Sequence, residues 1–207
     1  MDSLADVIRL ARQYDFTIAF DECYTEIYNG DPPAGALQAA AALGGSLENL
    51  LMFHSLSKRS SAPGLRCGFV VGDEALIAAM EGALRVGGAG VPLPVLAAGG
   101  RLWSEEAHAA ANRRLYQKNF EIAERILGNR YGFTKPDGGF FLWLNVGDGE
   151  EATRRLWREA AIKVLPGAYM CAEDPGLGNP GEGYIRAALV YDAEITEAAL
   201  NRLVEVL

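Results

Sequence analysis

The chain has 207 residues, half of them hydrophobic and 22% charged, with a formal net charge of −8. That is the make-up of a globular protein of one large or two small domains, and its negative charge argues against nucleic acid or an anionic membrane as the main partner. No apolar run reaches the roughly 18 residues of a membrane span, and the acidic start Met1-Asp2-Ser3-Leu4-Ala5-Asp6 lacks the basic region of a signal peptide. Cys23, Cys67 and Cys171 are odd in number, widely spaced and without a Cys-x-x-Cys pair, and two histidines are too few for a typical zinc site. They read as free thiols of a reducing cytoplasm, with small buried filler as the plain role of Cys23 and Cys67.

In chain order, residues 2–14 carry Leu4, Val7, Ile8 and Ala11 at the spacing of an amphipathic helix. A strand is expected over 16–20, ending at Asp21-Glu22-Cys23-Tyr24. The cluster Asn29-Gly30-Asp31-Pro32-Pro33 marks a turn. Alanine-rich residues 36–43 form a helix closed by Gly44-Gly45. The apolar run Leu50-Leu51-Met52-Phe53 leads a strand over 50–55, of the kind buried in a parallel sheet. It empties into a polar loop, Ser55-Leu56-Ser57-Lys58-Arg59-Ser60-Ser61, which returns through Gly64-Leu65-Arg66-Cys67-Gly68 into a strand over 67–71. A helix over 74–85 follows. Gly87-Gly88-Ala89-Gly90-Val91-Pro92-Leu93-Pro94 is then a glycine/proline hinge loop; it lacks the glycine pattern and lysine of a phosphate loop. Helix–strand alternation predicts an α/β sheet covered by helices.

The pattern restarts after Trp103, which divides the chain into residues 1–103 and 104–207. Ser104-Glu105-Glu106 opens a long helix to about Leu127 with a capping serine and early acids. Its charged face, Arg113, Arg114, Lys118, Glu121, Glu124 and Arg125, reads as solvated. Residues 135–141 place a glycine turn ahead of an aromatic strand over 139–146. A helix over 150–160, short strands over 162–165 and 184–189, and a helix over 196–207 complete a smaller α+β part.

The chemistry concentrates where the two early strands end, which is where open α/β sheets hold their ligands. A lone lysine is most often a solvated charge. Lys58, however, has Ser55 three residues before it and Arg66 eight after, and hydroxyls with a guanidinium fork suit a phosphate. A lysine beside a phosphate cradle suggests a phosphorylated aldehyde held as a Schiff base. Pyridoxal phosphate also needs a carboxylate at its ring nitrogen and a donor near its phenolic oxygen; Asp21 and Tyr24 could supply them. Standing alone, Asp21 could equally be a helix cap or turn residue. In the second part, Arg186 lies inside the apolar run 183–189, where an unpaired charge is costly.

Asp-x-x-Tyr at 21–24, Ser-x-x-Lys at 55–58 and Gly-x-Arg-x-Gly at 64–68 stand in the order and spacing of the aminotransferase class I/II family, the fold-type I pyridoxal-phosphate enzymes, which nearly the whole chain resembles. The resemblance implies Lys58 as the Schiff-base lysine, Asp21 at the ring nitrogen, Tyr24 at the phenolic oxygen, and Ser55, Ser57 and Arg66 at the phosphate. It implies Arg186 as the fork for a substrate carboxylate and places the glycine turn at 135–141, and the segments 164–169 and 179–183, around the substrate. It also implies the C-terminal part of a three-layer α/β/α large domain followed by a small α+β domain. Relatives are about twice as long, so the chain corresponds to a C-terminal half. The wording at 55–60 and 139–144 is nearest to bacterial N-succinyl-diaminopimelate aminotransferases of lysine biosynthesis. The expected activity is amino transfer from an amino acid such as glutamate to a keto acid, in a cytoplasmic homodimer. A carbon–sulfur lyase, the effector domain of a transcription regulator and an inactive fragment stay open as rivals.

Overall fold

A computed structural model describes residues 1–88, 90–176 and 178–207 of the chain. Two compact units emerge, Met1–Arg113 and Arg114–Leu207; the sequence pattern had placed its division at residues 103 and 104.

The first unit opens with helix α1 (Asp2–Gln13). Ala5, Ile8 and Ala11 form its buried stripe, while Val7 turns out to solvent, so the inward face is rotated from the expected Leu4–Val7–Ile8–Ala11 set. Strand β1 (Ile18–Asp21), helix α2 (Ala36–Ala42) and strand β2 (Leu50–Ser55) follow. β1 and β2 pair in parallel, with Ile18 opposite Leu50 and Asp21 opposite Phe53. Ile8, Ala36, Ala39, Ala40, Leu50 and Met52 form one buried cluster beneath them.

Strand β3 (Gly68–Gly72) completes the sheet on the other side of β2, but antiparallel. The expectation of a purely parallel surrounding for β2 is therefore corrected. Between β2 and β3 the chain makes only one α-helical turn, α3 (Leu56–Arg59), and a 3₁₀ turn (Pro63–Leu65), and then folds straight back. A parallel return needs a longer crossover. The strands lie close: a Cβ at residue 72 would stand 2.0 Å from the Leu50 carbonyl oxygen, which explains the glycine there.

Helix α4 (Glu74–Gly87) starts at Asp73, whose carboxylate accepts from the Ala75 and Leu76 amides. It absorbs Gly87 from the expected hinge loop; Ala89 of that loop lies outside the described residues. Helix α5 (Leu93–Trp103) takes Leu93 and Pro94 from the expected hinge loop, because a proline is tolerated in a helix's first turn, and continues through a stretch whose periodicity gave no element. Ser104 closes α5 instead of opening the next helix. Its amide donates to Gly100 O and its hydroxyl to Arg101 O, at 3.1 and 2.9 Å. Helix α6 (Ala107–Leu127) begins after Glu106, whose carbonyl accepts from the Ala110 amide.

The second unit is built on strands β4 (Phe141–Asn145), β5 (Leu165–Pro166) and β6 (Tyr184–Ala188), antiparallel in the order β4-β6-β5. Helices α7 (Gly149–Ala160) and α8 (Ala193–Val206) complete it. Period-two alternation turns Leu142, Leu144 and Ile185 inward, onto Phe120, Leu127, Leu156, Leu200 and Leu203. Asn119 is fully buried in this unit and donates to the Leu189 and Tyr191 carbonyls. The strand expected over 162–165 shrinks to two residues. Ala161 takes a left-handed φ of 53°, and the Ile162 amide still bonds Leu156 O, so these residues finish α7.

Among the described residues, no helix is long and apolar enough to cross a membrane, and no group of His, Cys, Asp and Glu could hold a metal ion. All three cysteines are free.

Candidate active site

Because β1 and β2 run in parallel, their carboxyl ends open at the same edge of the sheet. Asp21 ends β1, and Ser55 ends β2. Beyond Asp21 the chain turns tightly: Asp21 Oδ1 accepts from the Cys23 amide at 3.1 Å, the side-chain turn for which aspartate is suited. The Thr25 hydroxyl and amide both donate to Glu22 O. Tyr24 is left projecting, 39% exposed.

Lys58 was expected in a loop and sits instead on the single turn α3. The turn forms because Ser55 caps it: Ser55 Oγ accepts from the Ser57 amide at 3.1 Å, and the Ser55 and Ser57 hydroxyls are 2.9 Å apart. From this turn the half-buried Lys58 brings its Nζ to 5.4 Å from the centroid of the Tyr24 ring. Lys58 also acts on Asp21. The Cys23 thiol and the Cys23 amide donate to the Asp21 carboxylate, and these bonds, helped by the Lys58 charge, hold it below the usual carboxylate range despite the opposing push of burial. In return, burial and the Asp21 carboxylate push the Cys23 thiol up to about 11. The charge of the Lys58 amine thus reaches a carboxylate kept ionised at the end of β1.

Arg66 stands on the return leg with a left-handed φ of 50°. Its guanidinium is exposed and donates to Pro63 O at 2.9 Å. The Leu56 amide donates to Cys67 O at 3.1 Å, tying this leg to the lysine turn. Five of the expected residues, Asp21, Tyr24, Ser55, Ser57 and Lys58, therefore cluster at the ends of β1 and β2, and Arg66 lies on the segment bonded back to that turn.

The turn is held from behind by charges the sequence pattern did not single out. Arg59 is 3% exposed; it donates to Leu102 O at 2.8 Å and pairs with Glu26 at 3.6 Å and with Glu106. Glu26 also pairs with Arg113 at 3.0 Å, and the Arg113 guanidinium lies 4.1 Å from the Tyr28 ring centroid. Arg113 is therefore drawn inward, against its reading as part of a solvated face. On the far side of β2, His54 Nε2 meets Glu22 Oε2 at 3.0 Å, and Glu22 Oε1 accepts from the Ala36 amide. Cys23 was also overlooked as more than filler, although its place two residues after Asp21 is the spacing of an aspartate turn.

Arg186 belongs to the second unit, on β6 opposite Trp143 of β4 and Leu165 of β5. Its neighbour Ile185 faces the core, so Arg186 points from the other face of the sheet, half-buried, with its guanidinium 4.4 Å from the Phe141 ring centroid. Among the described residues it makes no ion pair. On the same sheet Trp143 and Tyr184 stack at 5.3 Å. The two flagged segments meet here: Asn179 donates to Ala168 O at 2.9 Å, and a Cβ at residue 167 would stand 2.5 Å from Gly181 O.

Known proteins match the chain along nearly its whole length. The family model for aminotransferase class I and II matches residues 1–207. The 4-dedimethylamino-4-oxo-anhydrotetracycline transaminase OxyQ of Streptomyces rimosus is 33% identical over 97% of this chain and 54% of its own length. A crystal structure of an aminotransferase from Neisseria meningitidis superposes with a TM-score of 0.90 at 45% identity, covering 99% of this chain and 52% of that one. A "probable N-succinyldiaminopimelate aminotransferase" from Thermus thermophilus gives a TM-score of 0.83 at 26% identity, covering 100% and 54%. The chain thus spans about half the length of the relatives it matches, and its fold is that of fold-type I aminotransferases.

Proposed function

The chain belongs to the aminotransferase class I and II family, and from that premise we propose that it carries the catalytic lysine of a pyridoxal-phosphate aminotransferase. The observation behind the reading is that Lys58, Asp21 and Tyr24 come together at the open ends of two parallel strands. Pyridoxal phosphate, when bound, supplies an electron sink for the charge left at a substrate's α-carbon.

The residues present fit that group. Asp21, kept ionised by two Cys23 donors, suits a protonated ring nitrogen. The Tyr24 hydroxyl suits the phenolic oxygen. The Ser55 and Ser57 hydroxyls and the exposed Arg66 fork suit the phosphate. Lys58 would hold the cofactor through its amine. The same amine would be the group that takes the proton from the substrate α-carbon and returns it, base first and acid second. Arg186 offers a two-pronged site for the substrate carboxylate.

The reaction we propose is amino transfer in two half-reactions, with glutamate as donor and a keto acid of the N-succinyl-diaminopimelate type as acceptor, as in lysine biosynthesis. The resemblance to the Thermus protein and the wording at 55–60 and 139–144 support that acceptor. The name of OxyQ points to a different acceptor in that relative, while amino transfer is common to both. A cytoplasmic homodimer belongs to the same proposal. Free cysteines support a reducing compartment, and the apolar side chains exposed on α4 and α5, among them Leu84, Val86 and Leu93, support burial against further polypeptide.

The test is borohydride reduction of the chain with pyridoxal phosphate, followed by peptide mapping. The reduced tag is expected on Lys58 and absent from Lys58→Ala; a tag elsewhere, or none, overturns the lysine assignment. Release of 2-oxoglutarate from glutamate with the succinylated keto acid tests the substrate separately.

A further inference from the structure

Lys58 rides on a helix of one turn. A lone turn repays little of its ordering cost and leaves its last carbonyls without helical partners. Ser55 secures the front of the turn. At the back, the Ser60 amide reaches Leu56 O at 3.0 Å, but the Ser61 amide is 3.4 Å from Lys58 O. The side chain of Asn112, on α6, fills the gap: Nδ2 donates to Lys58 O at 2.8 Å and to Arg59 O at 3.2 Å. A carboxamide nitrogen has two protons, one for each carbonyl. One helical turn earlier on the same face of α6, His108 Nε2 lies 2.8 Å from Ser60 Oγ.

We infer that Asn112 is a positioning residue for Lys58: its carboxamide caps the lysine's own turn from a distant helix and so sets where the amine stands relative to Asp21 and Tyr24. This rests on Lys58 being the cofactor lysine. One bond is to the carbonyl of Lys58 itself, so its loss acts on the residue whose side chain reacts. Reactive groups are sensitive to such shifts, a misplacement of about 1 Å costing on the order of a hundredfold in rate.

The 207-residue chain and two variants test it. Asn112→Leu keeps the shape and removes the donors; Asn112→Asp removes them and adds charge, so an effect shared by both belongs to the donors. The first readout is reductive methylation with formaldehyde and cyanoborohydride, taken as the ratio of labelling at Lys58 to labelling at the exposed Lys118. The second is amide exchange at Ser61 against Phe53 in β2. Both variants should shift the labelling ratio at least about twofold and speed Ser61 exchange roughly twofold to tenfold, the weight of one hydrogen bond, with Phe53 unchanged. If either variant fails to fold, the other decides. An unchanged ratio with unchanged Ser61 exchange overturns the inference, as does a uniform rise in exchange that includes Phe53. If the ratio shifts while borohydride places the pyridoxyl tag on another lysine, the cap stands and the reading of Lys58 as the cofactor lysine fails.

Discussion

Replacing Lys58 by alanine is expected to make Cys23 react more slowly, and replacing Asp21 by asparagine to make it react faster. The size of the starting effect follows from the site. Burial first, and the Asp21 carboxylate second, raise the Cys23 thiol from 9.0 to about 11, with Lys58 the one charge that opposes them. At pH 7 that leaves about a hundredfold less thiolate than an ordinary cysteine carries. A more basic thiolate is the better nucleophile, and a Brønsted coefficient of ~0.4–0.5 returns about six- to tenfold of the loss. The folded chain should therefore react at Cys23 roughly ten- to fifteenfold more slowly than the same cysteine in denaturant. The assay is an aromatic disulfide reagent at pH 7, quenched and mapped by mass spectrometry so that Cys67 and Cys171 are resolved. Asp21→Asn removes the carboxylate charge that accepts the thiol's hydrogen bond. It should recover part of the rate but not all of it, because burial is the larger cause and remains. Lys58→Ala removes the opposing charge and should slow Cys23 further. Two variants moving the rate in the same direction would refute the placement of Cys23 between a carboxylate and an amine. So would a folded rate equal to the denatured one.

Two further outcomes follow from the same unit. Gly72→Ala puts a Cβ 2.0 Å from Leu50 O, whereas Gly82, inside α4, has nothing within 4 Å of its added Cβ. The first should cost ~1–3 kcal/mol as overpacking, the second should gain ~0.5–1 kcal/mol by stiffening the unfolded chain and favouring helix, and thermal unfolding that ranks them the other way would contradict the β2–β3 contact. The Asp73 carboxylate is held below its usual range, chiefly by the Asn49 amide with those of Leu76 and Ala75, so the unfolded chain binds its proton first as pH falls. Its contribution is complete above the unfolded carboxylate value of about 3.9 and fades as pH drops through the lower folded value. Asp73→Asn should flatten the acid limb of a pH-unfolding curve, and an unchanged limb would count against the cap.

What the sequence made legible, and what it hid, divides by the range of the interactions. Strand β2 was readable to the residue because a short apolar run ending in polar residues is the mark of a buried strand, and Leu50, Leu51 and Met52 are buried. That Asp21, Tyr24, Ser55, Ser57 and Lys58 would lie together was readable because each stands within a few residues of a strand end. The turn under Lys58 was not, for a local reason: the Ser55 hydroxyl that was read as a phosphate ligand is also the cap that makes residues 56–59 helical. Helix α5 was hidden because Gly99 and Gly100 weaken its helical signal, yet a Cβ at residue 99 would stand 2.7 Å from Cys67 Sγ. That glycine serves packing across the unit, which no local pattern displays. Arg113 shows the same limit. On a helical wheel it is one more charge on a polar face. What draws it inward is Glu26, 87 residues earlier, together with the Tyr28 ring. The residues proposed for the chemistry stand in short motifs, while the groups that hold those motifs in place make contacts far apart in the chain.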